Sequence, residues 1–230
     1  MGDLKVGGVT PDNIMYSDQQ VDRVYYSGNL IWEHIVAIPG FIGDTAIVEV
    51  TNPITGRVWM DRNIGATRAA TSSTDTEAYG HLFQWGRGAD GHQLRTSDYT
   101  LTLSSTDIPG HDDFIVAQNS PYDWRSPQND NLWQGIIQDG WRLPTETEWE
   151  AEKATWGSSA GDGGILKLTR AGSHPYDSSN VTLSNFFGFY WASTINGSDA
   201  KALFFAPSDD TDIFNYHRGN GYSVRLIKDV

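Results

Sequence analysis

The sequence predicts an α+β fold made of antiparallel strands, few helices and long loops, preceded by a small β-rich N-terminal module. Three observations predict it. Short aromatic-rich runs alternate with loops heavy in Gly, Ser, Asn and Asp, a single stretch carries full helix signals, and the N-terminus holds two β-rich runs separated by a turn tripeptide.

Residues 1–34 read as that module. Val21, Val24, Tyr25 and Tyr26, then Ser27-Gly28-Asn29, then Leu30, Ile31 and Trp32 form a hairpin pattern. A few short strands are marginal alone, so the module is expected to pack on a neighbour or on another chain. Residues 35–44, with Pro39, Gly40 and Gly43, read as a connection, and residues 45–230 as one larger domain. There Thr145 and Glu148 stand at capping-box spacing and Gly157 supplies a stop, which predicts a helix over 146–156. Its spacing puts Trp149, Lys153 and Trp156 on one side and Glu148 and Glu152 on a wetter one. A second helix is expected around 77–85, interrupted by Gly80. Near the C-terminus, Leu203 and Phe205 alternate with Ala202, Phe204 and Ala206, and Tyr222, Val224 and Leu226 with Ser223, Arg225 and Ile227. Residues 207–221 between these strands read as a polar and aromatic loop.

Composition narrows the function. With 16 basic and 29 acidic residues, the net charge of −13 argues against a phosphate-binding surface and so against nucleic acid as partner. No run reaches the roughly 18 apolar residues of a membrane span, and the first residues lack the apolar stretch of a signal peptide. The absence of cysteine removes disulfides, thiolate metal sites and thiol nucleophiles, and fits assembly in a reducing cytosol.

The motifs for catalysis are weak. Gly86 to Gly91 matches GxGxxG, but no helical face follows, so a glycine-rich turn is expected instead of a dinucleotide site. Glu146, Glu148, Glu150 and Glu152 scatter around a helix, and only Glu148 and Glu152 share a face as a glycosidase pair would need. The six histidines are dispersed without zinc spacing, and Asp209, Asp210 and Asp212 lack the EF-hand pattern. No catalytic residue, metal ligand or cofactor is assigned. Most of Trp124, Trp133, Trp141, Trp149, Trp156 and Trp191 are expected in the core, whereas Phe214, Asn215, Tyr216 and His217 have the mixed aromatic and amide chemistry of a paratope.

Six runs appear in a fixed order: WMDRNIGA from Trp59, YGHLFQWGR from Tyr79, DWRSPQ from Asp123, GWRLPTETEW from Gly140, YWAST from Tyr190 and SVR from Ser223. Over roughly residues 45–229 they resemble the Fibrobacter succinogenes major paralogous domain, related to the formylglycine-generating sulfatase-modifying family. That resemblance implies a C-type-lectin-like fold with a twisted antiparallel sheet. It also implies kinship with the variable proteins of diversity-generating retroelements, in which adenine-directed mutagenesis rewrites codons near the C-terminus while the scaffold stays fixed. Residues 195–222 are written largely in the alphabet reachable from an asparagine codon.

The ligand-contacting surface this implies comprises Asn196, Ser198, Asp199, Ala202, Phe204, Ala206, Ser208, Asp210, Asp212, Phe214, Asn215, Tyr216, His217 and Asn220, with Trp191, Leu203, Phe205 and Val224 holding the core beneath. The competing reading of Phe204 is an ordinary buried strand residue. Residues 1–34 are similar to short modules of phage tail-associated proteins. The expectation is therefore a non-enzymatic bacteriophage receptor-binding protein of the virion, assembled in the host cytoplasm. It would recognise a protein or glycan on a bacterial surface, join tail components through the N-terminal module, insert in no membrane, and form a homo-oligomer if those strands mediate one. An enzyme of the sulfatase-modifying or glycan-cleaving class and a purely structural virion or envelope protein are the alternatives. The cysteines that members of the family often carry are replaced here in the neighbourhoods of Gln138, Asp139 and Leu226, so neither their disulfide nor the thiol chemistry of the sulfatase-modifying enzymes transfers. The EPN, QPD and WND calcium motifs of sugar-binding lectins are also missing.

Overall fold

A computed structural model of the chain describes strand backbone at 14–16, 19–26, 29–35 and 41–42, and then residues 44–132, 140–157, 163–207 and 210–229. Trp133 and Ser208 therefore lie outside the described residues. The chain divides into two compact units, Met1–Phe41 and Ile42–Val230.

The first unit is an antiparallel meander of β1 (Ile14–Tyr16), β2 (Gln19–Tyr26) and β3 (Asn29–Ile35). The expected hairpin is present, with Tyr26 opposite Asn29. Short strands β4 (Phe41–Ile42) and β5 (Thr45–Ala46) follow.

The second unit is α+β, with two principal sheets. One, in the order β11-β16-β7-β6, joins β6 (Glu49–Thr51), β7 (Val58–Met60), β11 (Trp141–Arg142) and β16 (Ile227–Lys228). The other is the antiparallel β12-β13-β14, from β12 (Gly188–Asn196), β13 (Asp199–Phe205) and β14 (Asp212–His217). Two small pairs complete it: β8 (Phe83–Gln84) with β15 (Gly221–Tyr222), antiparallel, and β9 (Tyr99–Thr100) with β10 (Phe114–Ile115), parallel.

Away from their edge strands, both principal sheets contribute to an apolar cluster on each face. Along β13, Ala200 and Ala202 join Trp85, Trp191, Tyr222 and Val224 in one apolar cluster. Leu203 and Phe205 join Trp59, Trp149, Trp156 and Tyr190 in another. The period-two alternation read from sequence is real, but neither set faces water. Seven tryptophans (Trp59, Trp85, Trp124, Trp141, Trp149, Trp156 and Trp191) are at most 4% exposed, and several indoles are also tied by hydrogen bonds: Trp191 donates to Phe83 O at 2.7 Å and Trp85 to Ala192 O at 2.9 Å.

The helix α1 (Glu146–Lys153) begins where the sequence places it: Thr145 Oγ1 accepts from Glu148 N and the Glu148 carboxylate accepts from Thr145 N. It ends at Lys153, earlier than expected, and the chain runs on through a turn. Removing this cap by Thr145→Ala is expected to cost about 1 kcal/mol, seen as a lower urea midpoint with an unchanged slope. An unshifted midpoint would mean that the ion pairs of Glu148 fix the helix start alone.

Two expectations are corrected here. Glu148 and Glu152 do not form a wetter face; both are buried, because distant partners reach them. Arg142 binds Glu148 through its two terminal guanidinium nitrogens, each at 2.7 Å, Arg57 adds a 2.6 Å bond, and Asn52 donates to Glu152 at 2.9 Å. In place of a helix over 77–85, a single 3-10 turn at Thr76–Ala78 precedes β8. Gly80 sits at φ +65°, and a Cβ there would come within 2.4 Å of Ile64 O, so the chain turns at that point and packs closely.

Candidate functional site

The β12-β13-β14 sheet presents the residues expected to contact a ligand. Its two edges differ. Beside β12, Tyr190 bridges Ser223 and Gly188 bridges Gly172, so that edge is covered. On the other side β14 pairs with β13 alone among the described residues.

The β12–β13 hairpin turns at Gly197-Ser198, with Asn196 opposite Asp199. Gly197 has φ +60°, whereas Ser198 is not in the positive-φ region, the pattern of a II′ turn. One buried and one half-buried side chain fix this exposed turn. Arg218 donates to Gly197 O at 2.9 Å and Gln128 to Ser198 O at 2.8 Å. Arg218 also holds Asn129 O and Asp130, each at 2.8 Å.

Below the turn, guanidinium and indole groups stack in alternation. Arg87 and Arg125 lie 5.6 and 4.6 Å from the ring of Trp124, and Arg125 and Arg218 lie 5.9 and 4.6 Å from that of Trp85. Oxygen atoms of Asp107, Asp123, Asn129 and Asn131 converge on Arg125. A fixed cation thus ties these loops together, and no group of three or more metal-binding side chains occurs among the described residues. Such pairs add cation–π attraction to their hydrogen bonds, and burial strengthens both.

Aromatic rings continue from core to surface on the face carrying Ala202. Phe189 stacks on Tyr222 at 4.7 Å, Phe204 lies 5.6 Å from Phe189, and Phe214 lies 6.2 Å from Phe204 and 6.4 Å from Tyr216. Phe187 packs on Phe204 at 5.2 Å, and its neighbour Phe186 is 65% exposed. At the far end of β14, His217 meets Tyr122 at 4.5 Å and Tyr176 at 4.9 Å and bonds Asp199 through Nδ1 at 2.8 Å. Tyr216 is half-buried, and burial pushes its hydroxyl pKa up to about 12, so it remains a neutral donor.

Asn196, Ser198, Asp210, Asp212, Phe214 and Asn215 are exposed, and Asp199, Phe204, Tyr216 and His217 are half-buried. Phe204 is thus neither a fully displayed contact nor a fully buried core residue. Three expected contacts are corrected. Ala202 and Ala206 are buried, Ala202 fully so, because its face of β13 carries the first apolar cluster, with Trp191 paired across the strand. Asn220 is also buried, accepting from Tyr176 N and donating to His217 O. Residues 207–221 are likewise not a free loop: they contain β14, and Arg218, Gly219 and Asn220 are buried. The residues that sequence reading missed, Tyr122, Tyr176, Phe186 and Phe187, lie outside the 196–220 window and reach the surface through tertiary packing.

The other candidates are absorbed into structure. Glu148, despite the burial that opposes its charge, is brought down to about 2 by Arg142 and the Thr145 amide, which leaves it no proton to give. Asp212 is paired with Lys153 at 2.7 Å. In the GxGxxG stretch Gly86 and Gly91 occupy positive-φ turns and no helix follows. No helix among the described residues is long and apolar enough to cross a membrane. The six motif runs supply frame residues: Trp59, Asn63, Trp85, Arg87, Trp124, Arg125, Trp141, Trp149, Tyr190, Trp191 and Arg225 are all buried. Arg225 ties the last run to the first, donating to Asn63 Oδ1 and Met60 O, and also to Leu166 O. Comparison of the chain with protein-family models, with curated proteins and with solved structures finds no match.

Proposed function

We propose that the chain is a non-enzymatic recognition protein with a C-type-lectin-like domain. Its ligand-contacting surface is the exposed part of β12-β13-β14, namely Asn196, Ser198, Asp199, Phe204, Phe214, Asn215, Tyr216 and His217, widened by Tyr122, Tyr176 and Phe186. The observation carrying this reading is the separation between a buried frame braced by arginine and tryptophan hydrogen bonds and an outward sheet rim. The buried arginines that anchor the hairpin spend their hydrogen bonds on backbone and loop oxygens, while the rim combines aromatic area with amide and carboxylate groups. A surface whose side chains contribute little to packing tolerates replacement, as the resemblance to retroelement variable proteins requires. A phage receptor-binding protein of the virion, attached through the module of residues 1–34, is the biological setting this reading favours.

The test is a display library randomised at Ser198, Phe214 and Asn215, selected on immobilised lysozyme as an arbitrary protein target. Most members should unfold within about 0.5 kcal/mol of the parent, the usual range for surface substitutions, and the pool should yield specific binders. A library in which most members fail to fold, or from which no binder emerges while folding is retained, rejects the reading.

A further inference from the structure

The edge of β14 is unusual in what it lacks. Exposed edge strands are ordinarily blunted by lysine, proline or a bulge, because their free N–H and C=O groups invite another strand. Asp212 to His217 contains neither Lys nor Pro, pairs with β13 in unbroken register, and presents Phe214 at 45% exposure; at its ends Ile213 N already donates to Asp212 Oδ1 and His217 O accepts from Asn220, so the strand's middle is what stays open among the described residues. Phe214 and Tyr216 stand on one face of this strand at alternate positions, the spacing with which an added strand would place its own side chains.

The charges around this edge have one sign left over. The cations nearest it are already closed: Lys153 by Asp212 and Glu150, Lys201 by Glu146, and Arg218 by Asp130. Asp210, just before the strand, and Asp177, beside Tyr176, have no ion pair among the described residues. Excess negative charge beside aromatic faces suits a cation twice over, through Coulomb attraction and through the ring quadrupole. Self-pairing through this edge would bring two chains of net charge −13 together.

We propose that the outer edge of β14, which no described strand pairs, docks an extended basic segment of a partner protein. The backbone of that segment adds a fourth strand to β12-β13-β14, and its Lys or Arg side chains lie over Phe214 and Tyr216 on the side of Asp210. This rests on the reading of the sheet rim as a recognition surface and names the ligand chemistry it selects. Main-chain bonding supplies affinity and alternate side chains supply selectivity, as in other strand-addition complexes.

The experiment titrates the full chain with three labelled synthetic peptides of about eight residues, long enough to span the strand. One alternates Thr and Lys, the second alternates Thr and Glu, and the third is the Lys peptide N-methylated at alternate amides. The Lys peptide should bind saturably, about tenfold more weakly in Phe214→Ala, and more weakly again when salt rises from about 0.05 to about 0.5 M. N-methylation should also cost about tenfold, because it blocks ladder bonds on one edge. No saturable binding of the Lys peptide, equal binding of the Glu or the N-methylated peptide, or dimerisation of the chain alone that Phe214→Ala abolishes would each overturn the proposal. If the randomised library still yields lysozyme binders, the recognition surface stands and only its basic, strand-adding partner is lost.

Discussion

Ala202→Tyr should destabilise the protein by about 3 kcal/mol or more, at or beyond the upper end of typical overpacking costs, whereas Asn215→Tyr should change stability by less than about 0.5 kcal/mol. Both positions lie in the stretch that the retroelement resemblance marks as replaceable, and they are near neighbours on adjacent strands. They differ in what lies beyond the Cβ. Ala202 is fully buried between the β13 backbone and the cluster containing Trp191, Tyr222 and Val224. Trp191 sits directly across the strand pair, its indole fixed by the bond to Phe83 O, so it has no room to retreat. A phenol placed there must either displace that indole or bury a hydroxyl without a partner, and both are costly. Asn215 is exposed on the edge strand, and tyrosine there meets solvent. Urea midpoints of the two variants measure the difference. Equal midpoints would mean that the sheet opens easily on the face of Ala202, and would restore that residue to the binding surface.

The pair also shows what the sequence could and could not say. Strand alternation at Leu203, Phe205, Val224 and Trp191 was legible because large apolar residues at period two have few other uses. The capping box at Thr145 and Glu148 was legible because it is local. Alternation sorts residues into two faces, however, and does not say which face is dry. When both are covered, a small residue such as Ala202 passes for a permissive surface position, although its size is set by the tryptophan opposite. Polarity misled in the same way at Glu148, Glu152 and Asn220. Their partners Arg57, Arg142, Asn52 and Tyr176 are brought in by the fold, in two cases from about a hundred residues away, and nothing in local periodicity announces them. β14 was hidden because an edge strand with exposed residues on both faces has the composition of a loop.

Acidification should remove more stability than any of these substitutions. His92 is fully buried and both ring nitrogens are engaged while it is neutral: Nδ1 donates to Asp90 Oδ1 at 2.6 Å and Nε2 accepts from Gln84 N at 3.1 Å. A second proton on Nε2 would evict the Gln84 amide. His174 is buried against Phe114, ring centroids 3.5 Å apart, with Nε2 unpartnered. Burial lowers each imidazole from 6.5 to about 4, in His92 against the pull of Asp90. Between those values the unfolded chain holds more protons than the folded one, so stability is full above pH 6.5 and falls as pH drops towards 4. Each histidine contributes about 3 kcal/mol to that loss. Glu148, carried from 4.5 to about 2 with its ion pairs outweighing burial, adds a second fall over that lower range. Glu152, which burial pushes up, works in the opposite sense, and so does the shrinking net charge near the pI of about 4.6. The discriminating variant is His174→Phe, which preserves an aromatic ring against Phe114 and removes the proton. Its urea midpoint should fall less steeply than the parent's between pH 6.5 and 4, and should match the parent's slope below that. Parallel curves for the two proteins over the upper window would show that His174 is protonated without penalty, and that the Phe114 stack opens to water before the fold does.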